Sequence, residues 1–476
     1  MTSSSGSEPP IRFGTSGWRG VLAEDFTLPR LRVALHGVGC WLARQGSTEV
    51  VVAHDTRLLG ERMAELAARI LTDHGLRPLL GSGPTATPVA ARAVLRRAAA
   101  GAVVLTASHN PPEYHGLKVL GPSGGCIDDA TARQIEGWIA QAPGSEPEAG
   151  PVPRPVDLRG PYLRELLGRL DRERIRGSKV QVVYDAMHGA GAGVLDAALE
   201  RLGARVRLLR GARNPAFGGG SPDPVPERLG LLSREVRASR GARLGIATDG
   251  DADRFGAMDA DGRPLSATDA LALLVDHLAR TGRVRRGVAI SVATGSLVER
   301  VAASHGLAVR RHPIGFKHLS RALEDGEADV AGEESGGFAF AGFGRDKDGI
   351  LAGCLLAELL ASGRVSLRAR LTGLLSRHGR SACGRTALPD DGRAREALEA
   401  LGCAPPGRID GAAVREVSVG DGLRFGLDDG FLMLRLSGTE PVLRVYAEAR
   451  GPRLLRRRLA AGAALAVCSG VSQRSQ

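Results

Sequence analysis

Asp249, Asp251 and Asp253 alternate along one short stretch of this 476-residue sequence. On an extended segment alternate side chains face the same side, so three carboxylates converge and repel one another unless a cation sits between them. Oxygen-only ligands favour magnesium or another hard divalent ion. An EF-hand is excluded, because its sixth and twelfth loop positions need Gly and Glu and here hold Arg254 and Ala260. Arg254, at the end of the loop, is placed to hold a phosphate.

A second candidate is Ser108, in Thr106-Ala107-Ser108-His109-Asn110 followed by Pro111 and Pro112. The prolines deny the segment a helix and stiffen it, which suits a nucleophile. Lys118 follows closely and is one of only four lysines, with Lys179, Lys317 and Lys347. Its placement suits an acid, a base or a phosphate partner. Glu333 and Ser335, held between Gly332 and Gly336-Gly337, can hydrogen-bond neighbouring hydroxyls, and Gly315-Phe316-Lys317 lies upstream. Taken alone, an ordinary polar loop offers as much. Arg435-Leu436-Ser437-Gly438-Thr439-Glu440-Pro441, with Arg444 beyond, offers guanidiniums, hydroxyls and Gly amides as a phosphate cradle. Gly121-Pro122-Ser123-Gly124-Gly125 fits G-x-S-x-G but lacks the strand–Ser–helix setting of a hydrolase elbow, and reads as a hairpin turn.

The elements that must carry these loops recur three times. Apolar strands are expected at Val50–Asp55, Val180–Asp185 and Val288–Val292, each followed by a helix closing at Gly75, Gly203 or Gly306 and then by a short strand. A second apolar strand in each copy, at Ala102–Leu105, Leu244–Ala247 and Ala328–Ala331, leads into the Ser108, Asp249 and Glu333 loops. Alternating strands and helices make α/β units, and such sheets place ligand sites at strand ends. After Gly379 four short strands, Val414–Val419, Leu423–Leu427, Phe431–Leu436 and Val442–Ala447, precede a helix from about Arg453 to Val467, which reads as a smaller α+β domain. The Pro/Gly/Glu-rich stretch 143–155 reads as a linker. The expected domains are 1–150, 151–262, 263–378 and 379–476.

A formal charge of +12 fits anionic substrates. It arises from arginines spread over the whole chain, without a basic run interleaved with aromatics, so no nucleic-acid partner is expected. No apolar run is long enough to span a membrane, and Met1–Pro10 lacks the pattern of a signal peptide. The six cysteines are scattered and contain no C-x-x-C, which fits free thiols in a reducing cytoplasm.

With these motifs in order, together with Phe13-Gly14-Thr15-Ser16-Gly17-Trp18-Arg19-Gly20, the chain resembles the α-D-phosphohexomutase family, which includes phosphoglucomutase and phosphomannomutase. The resemblance runs from Phe13 to about Ala449. It implies three similar α/β domains and a smaller C-terminal domain around a central cleft. It also implies a phosphoserine at Ser108, with Arg19, His109 and Lys118 near the transferred phosphoryl group. Asp249, Asp251 and Asp253, with an oxygen of phospho-Ser108, would hold Mg2+. Arg254, Gly315, Lys317, Glu333 and Ser335 would meet the sugar phosphate, and Arg435, Ser437, Gly438, Thr439 and Arg444 its distal phosphate. The implied reaction interconverts hexose 1- and 6-phosphates through a hexose 1,6-bisphosphate, which also acts as activator, in a monomer or homodimer. Glu-Glu-Ser-Gly-Gly leans towards the phosphoglucomutase branch over the phosphoglucosamine branch. Two rivals are an aspartyl phosphotransferase of the haloacid dehalogenase type, with Asp249 or Asp251 as nucleophile, and a non-enzymatic sugar-phosphate sensor.

Overall fold

A computed structural model describes residues 10–14, 17–142, 151–239, 241, 243–363, 365–390, 392–437 and 442–468. The threefold repeat is real. In the first unit, strand Glu49–His54 lies parallel to Arg77–Leu80 on one side and to Ala102–Leu105 on the other, and Tyr114–Leu120 closes the sheet antiparallel. The second unit repeats this with Gln181–Asp185, Arg205–Leu209, Leu244–Thr248 and Phe255–Asp259. The third repeats it with Gly287–Ser291, Ala308–His312, Val330–Gly332 and Phe338–Phe340. Gly75, Gly203 and Gly306, just past the helix ends, have φ of 75°, 94° and 70°. The last of the three expected loop-bearing strands sits slightly later than expected, at Val330–Gly332.

One addition matters for the site. Trp18–Val21 joins the first sheet antiparallel to Tyr114–Leu120, with Arg19 opposite Gly116. It puts Arg19 on the strand beside the one that carries Lys118.

The three units share a continuous apolar core running through Val51, Tyr162, Ile246, Ile290 and Leu356. Helix Gly349–Ala361 lies at its centre and is buried on almost every residue, as expected of a helix apolar all round. The strands between Ala382 and Ala449 form a separate antiparallel sheet. Besides the four expected strands it contains Ala382–Pro389 at one edge and the short Arg408–Ile409 at the other. One face packs on helix Pro452–Cys468 through Leu432, Val445 and Leu459. The other meets the third unit where Phe431, Met433 and Tyr446 cover Ala293. Among the described residues no helix is long and apolar enough to cross a membrane.

Candidate active site

Ser108 sits where the strand Ala102–Leu105 runs out. Its φ is 51°, a left-handed conformation that costs a non-Gly residue roughly 1–2 kcal/mol. Its amide donates to Thr106 Oγ1 at 2.8 Å, and its Oγ donates to Asp249 Oδ2 at 2.6 Å. The loops of the first and second units touch through backbone here. A Cβ on Gly250 would lie 2.6 Å from Ser108 O, so any larger residue would drive the two loops apart.

Asp249, Asp251 and Asp253 are all buried and offer carboxylate oxygens within 4.8 Å of one another. Asp251 Oδ2 accepts from Lys118 Nζ at 2.7 Å and from Thr87 Oγ1 at 2.6 Å. Asp253 Oδ2 accepts from Lys118 at 2.6 Å and lies 3.2 Å from Lys347 Nζ. The other oxygens, Asp251 Oδ1 and Asp253 Oδ1, are buried and have no hydrogen-bond partner. Buried unpaired carboxylate oxygens are costly, and a divalent cation would satisfy both, so the residues present fit a hard metal ion. Burial and the neighbouring Asp251 and Asp253 push Asp249 well above the ordinary carboxylate range. Burial alone would lower Lys118, but Asp251 and Asp253 outweigh it and hold the ammonium charged.

Arg19 Nη1 donates to Asn110 Oδ1 at 2.6 Å, which brings its charge to the serine loop. His109 is held well below its ordinary pKa by burial and then by Arg254, Arg19, Arg385 and Arg444, so its imidazole is neutral, and its Nδ1 has no partner. Arg254 donates its amide to Asp249 Oδ1 at 3.1 Å, and its side-chain Nε is buried and unpartnered. The Glu333 loop docks on the same place: Phe255 N donates to Gly336 O, and Arg254 bridges Gly337. Within that loop Ser335 Oγ donates to Glu333 Oε1 at 2.6 Å.

Not every expected residue converges. Gly315 (φ 124°) caps helix Phe316–Glu324, and Lys317 pairs with Asp129 of the first unit, not with the aspartate cluster. Lys317 and Lys118 nonetheless line one small pocket with Gly14, Gly17 and Asp128. Arg435 donates to Asp421 at 2.6 Å and stands directly opposite Arg444 on the neighbouring strand. Ser437 N donates to Val442 O at 2.9 Å. Gly438 and Thr439 lie outside the described residues. Sequence reasoning missed Lys347, which its rarity could have flagged, and Thr87, for which no local signal existed.

Four family models match successive parts of the chain. Models described as phosphoglucomutase/phosphomannomutase α/β/α domains I, II and III match residues 10–144, 160–262 and 268–378, and the C-terminal domain model matches 387–465. A phosphoglucomutase/phosphomannomutase of Thermococcus kodakarensis is 30% identical, covering 94% of this chain and 97% of that protein. A phosphoglucosamine mutase of Cereibacter sphaeroides is also 30% identical, covering 93% and 96%. The crystal structure of a candidate phosphomannomutase from Thermus thermophilus matches with a TM-score of 0.86 at 32% identity, over 96% of this chain and 99% of that one. These relatives agree on the class of reaction and differ in the sugar named.

Proposed function

We propose that this chain, which belongs to the phosphoglucomutase/phosphomannomutase family, interconverts the 1- and 6-phosphates of glucose or mannose through a phosphorylated Ser108. The observation that carries this reading is the Ser108 hydroxyl, 2.6 Å from Asp249 in a buried aspartate cluster with unsatisfied oxygens. Asp249, Asp251 and Asp253, with an oxygen of phospho-Ser108, would hold Mg2+, which supplies charge neutralisation at the transferring phosphoryl group.

The free hydroxyl of the hexose phosphate attacks the phosphorus of phospho-Ser108, and the P–Oγ bond breaks. His109, neutral and with a free Nδ1, takes the hydroxyl proton, while Arg19 and Lys118 balance charge on the phosphoryl oxygens. The released serine oxygen takes up the proton that His109 received, which leaves the imidazole neutral again, and its hydroxyl hydrogen-bonds to Asp249, the arrangement seen here. The resulting hexose 1,6-bisphosphate turns round and returns its other phosphate to Ser108. Glu333 and Ser335 hold sugar hydroxyls, Arg254, Gly315 and Lys317 complete the substrate contacts, and Arg435, Ser437, Gly438, Thr439 and Arg444 hold the phosphate that is not reacting. Added hexose 1,6-bisphosphate loads the serine, and the setting is cytoplasmic.

A second reading, a glucosamine phosphate as substrate, is favoured by the Cereibacter relative. The experiment is peptide mass spectrometry after incubation with glucose 1,6-bisphosphate, alongside coupled assays on glucose, mannose and glucosamine phosphates. Phosphate on Ser108 with turnover of one of these sugars is expected. Phosphate on Asp249 or Asp251 would replace this mechanism by aspartyl transfer, and absence of any turnover would leave a sugar-phosphate-binding protein.

A further inference from the structure

Behind the serine loop lies a cation that the reaction scheme does not use. Arg57 is fully buried, among the largest side chains with no exposure. Its Nη2 donates to Ser108 O at 2.8 Å and Asn110 O at 2.6 Å, and its Nη1 to Pro111 O at 2.7 Å and Tyr114 O at 2.9 Å. Its Nε donates to Asp55 Oδ2 at 3.2 Å. A guanidinium has five N–H groups, and every one is spent here. The same Asp55 oxygen accepts from Thr106 Oγ1 at 2.6 Å, and Thr106 Oγ1 in turn accepts from the Ser108 amide. Both backbone ends of Ser108 are therefore tied to one ion pair. Phe217, from the second unit, lies against the guanidinium with its ring centre 4.9 Å from Cζ.

We infer that Arg57 is a positioning residue for phosphoryl transfer: it holds the Ser108 loop in the strained conformation that aims Oγ at the aspartate cluster, and Phe217 seats it. The inference rests on Ser108 being the phosphoryl carrier. Two features separate this role from ordinary packing. The left-handed Ser108 relaxes unless something over-determines it, and four carbonyls gathered on one rigid fork do so. A trans peptide also sets C=O and N–H on opposite sides. Pinning Ser108 O therefore turns the His109 N–H away from Arg57, and that N–H has no acceptor among the described residues. It remains available to a phosphoryl oxygen on Ser108. A lysine keeps the charge but has three donors on one point and cannot reproduce the fork.

The test compares wild type, Arg57→Lys and Phe217→Leu. Each is melted, assayed for kcat and KM on its hexose phosphate, and mixed with glucose 1,6-bisphosphate to follow Ser108 phosphorylation by quenched mass spectrometry. A misplacement near 1 Å costs about 100-fold in rate. Arg57→Lys should lose about that much in kcat and in phosphorylation rate while KM stays near wild type, and Phe217→Leu should lose less of the same two rates. A lower melting temperature with wild-type kcat in the folded enzyme would reduce Arg57 to packing and overturn the inference. If Arg57→Lys does not fold, Phe217→Leu decides, and a wild-type phosphorylation rate in it overturns the inference. If wild-type Ser108 itself takes no phosphoryl group, the mutase reading fails first and this inference falls with it.

Discussion

Asp251→Asn isolates the metal site with the least change of shape. In the native protein one carboxylate oxygen serves Lys118 at 2.7 Å and Thr87 at 2.6 Å, while the other is buried without a partner. An amide cannot do both jobs. With its oxygen towards Lys118 and Thr87, its NH2 occupies the place of Oδ1 and presents donors to the cation. Flipped, the NH2 meets the ammonium. Either way one charge-assisted contact is lost, worth roughly 1.5–3 kcal/mol. At about 1.4 kcal/mol per decade, half-saturating magnesium should rise by roughly 10- to 100-fold, and high magnesium should recover part of the rate. The assay is initial rate against magnesium at saturating hexose phosphate, with Mn2+ binding followed by electron paramagnetic resonance as a readout independent of turnover. Unchanged metal affinity by both measures would refute the assignment of Asp251 as a ligand.

Three further perturbations probe the surroundings. Glu333→Ala should slow turnover from both the 1-phosphate and the 6-phosphate, because a hydroxyl contact shared by both orientations is lost; a defect in one direction only would contradict that. Arg444→Ala should raise KM about tenfold or more, from a contact worth roughly 1.5–3 kcal/mol, while Ser108 is still phosphorylated at high bisphosphate; an unchanged KM places the phosphate clamp elsewhere. Glu358 tests the frame. Burial alone would push its carboxyl up, but the His277 and Arg283 contacts hold it at about 2. Its contribution is thus present above the unfolded value of about 4.3 and is lost as pH falls towards 2. Glu358→Gln should cost about 3–5 kcal/mol at neutral pH and flatten the acid side of the stability curve, read by urea unfolding across pH; a wild-type acid side would refute the pairing.

What could be read from the sequence was what chemistry writes locally. The aspartates alternate within five residues, Ser108 sits between an apolar strand and two prolines, and the terminal Gly of each helix marks its turn. Those signals needed no tertiary information. Strand Ala382–Pro389 left no such trace, because it is an edge strand whose side chains are mostly half-buried or exposed, so nothing forces an apolar alternation on it. The rarity of lysine was a useful clue with a limit. It pointed at Lys118, which meets Asp251 and Asp253, and would have pointed at Lys347, which shares Asp253 with it. It pointed equally at Lys317, whose ammonium joins the third unit to Asp129 of the first.

Arg57 shows where local signals end. It is one arginine in a chain full of them, and the four carbonyls it binds lie 51 to 57 residues away. Only the sheet, by bringing Glu49–His54 beside Ala102–Leu105, gathers them round its fork. Ser108, the proposed phosphoryl carrier, and the residues that aim it are therefore specified differently. The first needs a hydroxyl at a strand end. The second need parallel strands in register, a Gly250 without a Cβ to let the metal loop approach, and an aromatic ring from the neighbouring unit. A substitution that keeps every motif residue and shifts that register would leave the sequence signature intact and separate Ser108 from Asp249.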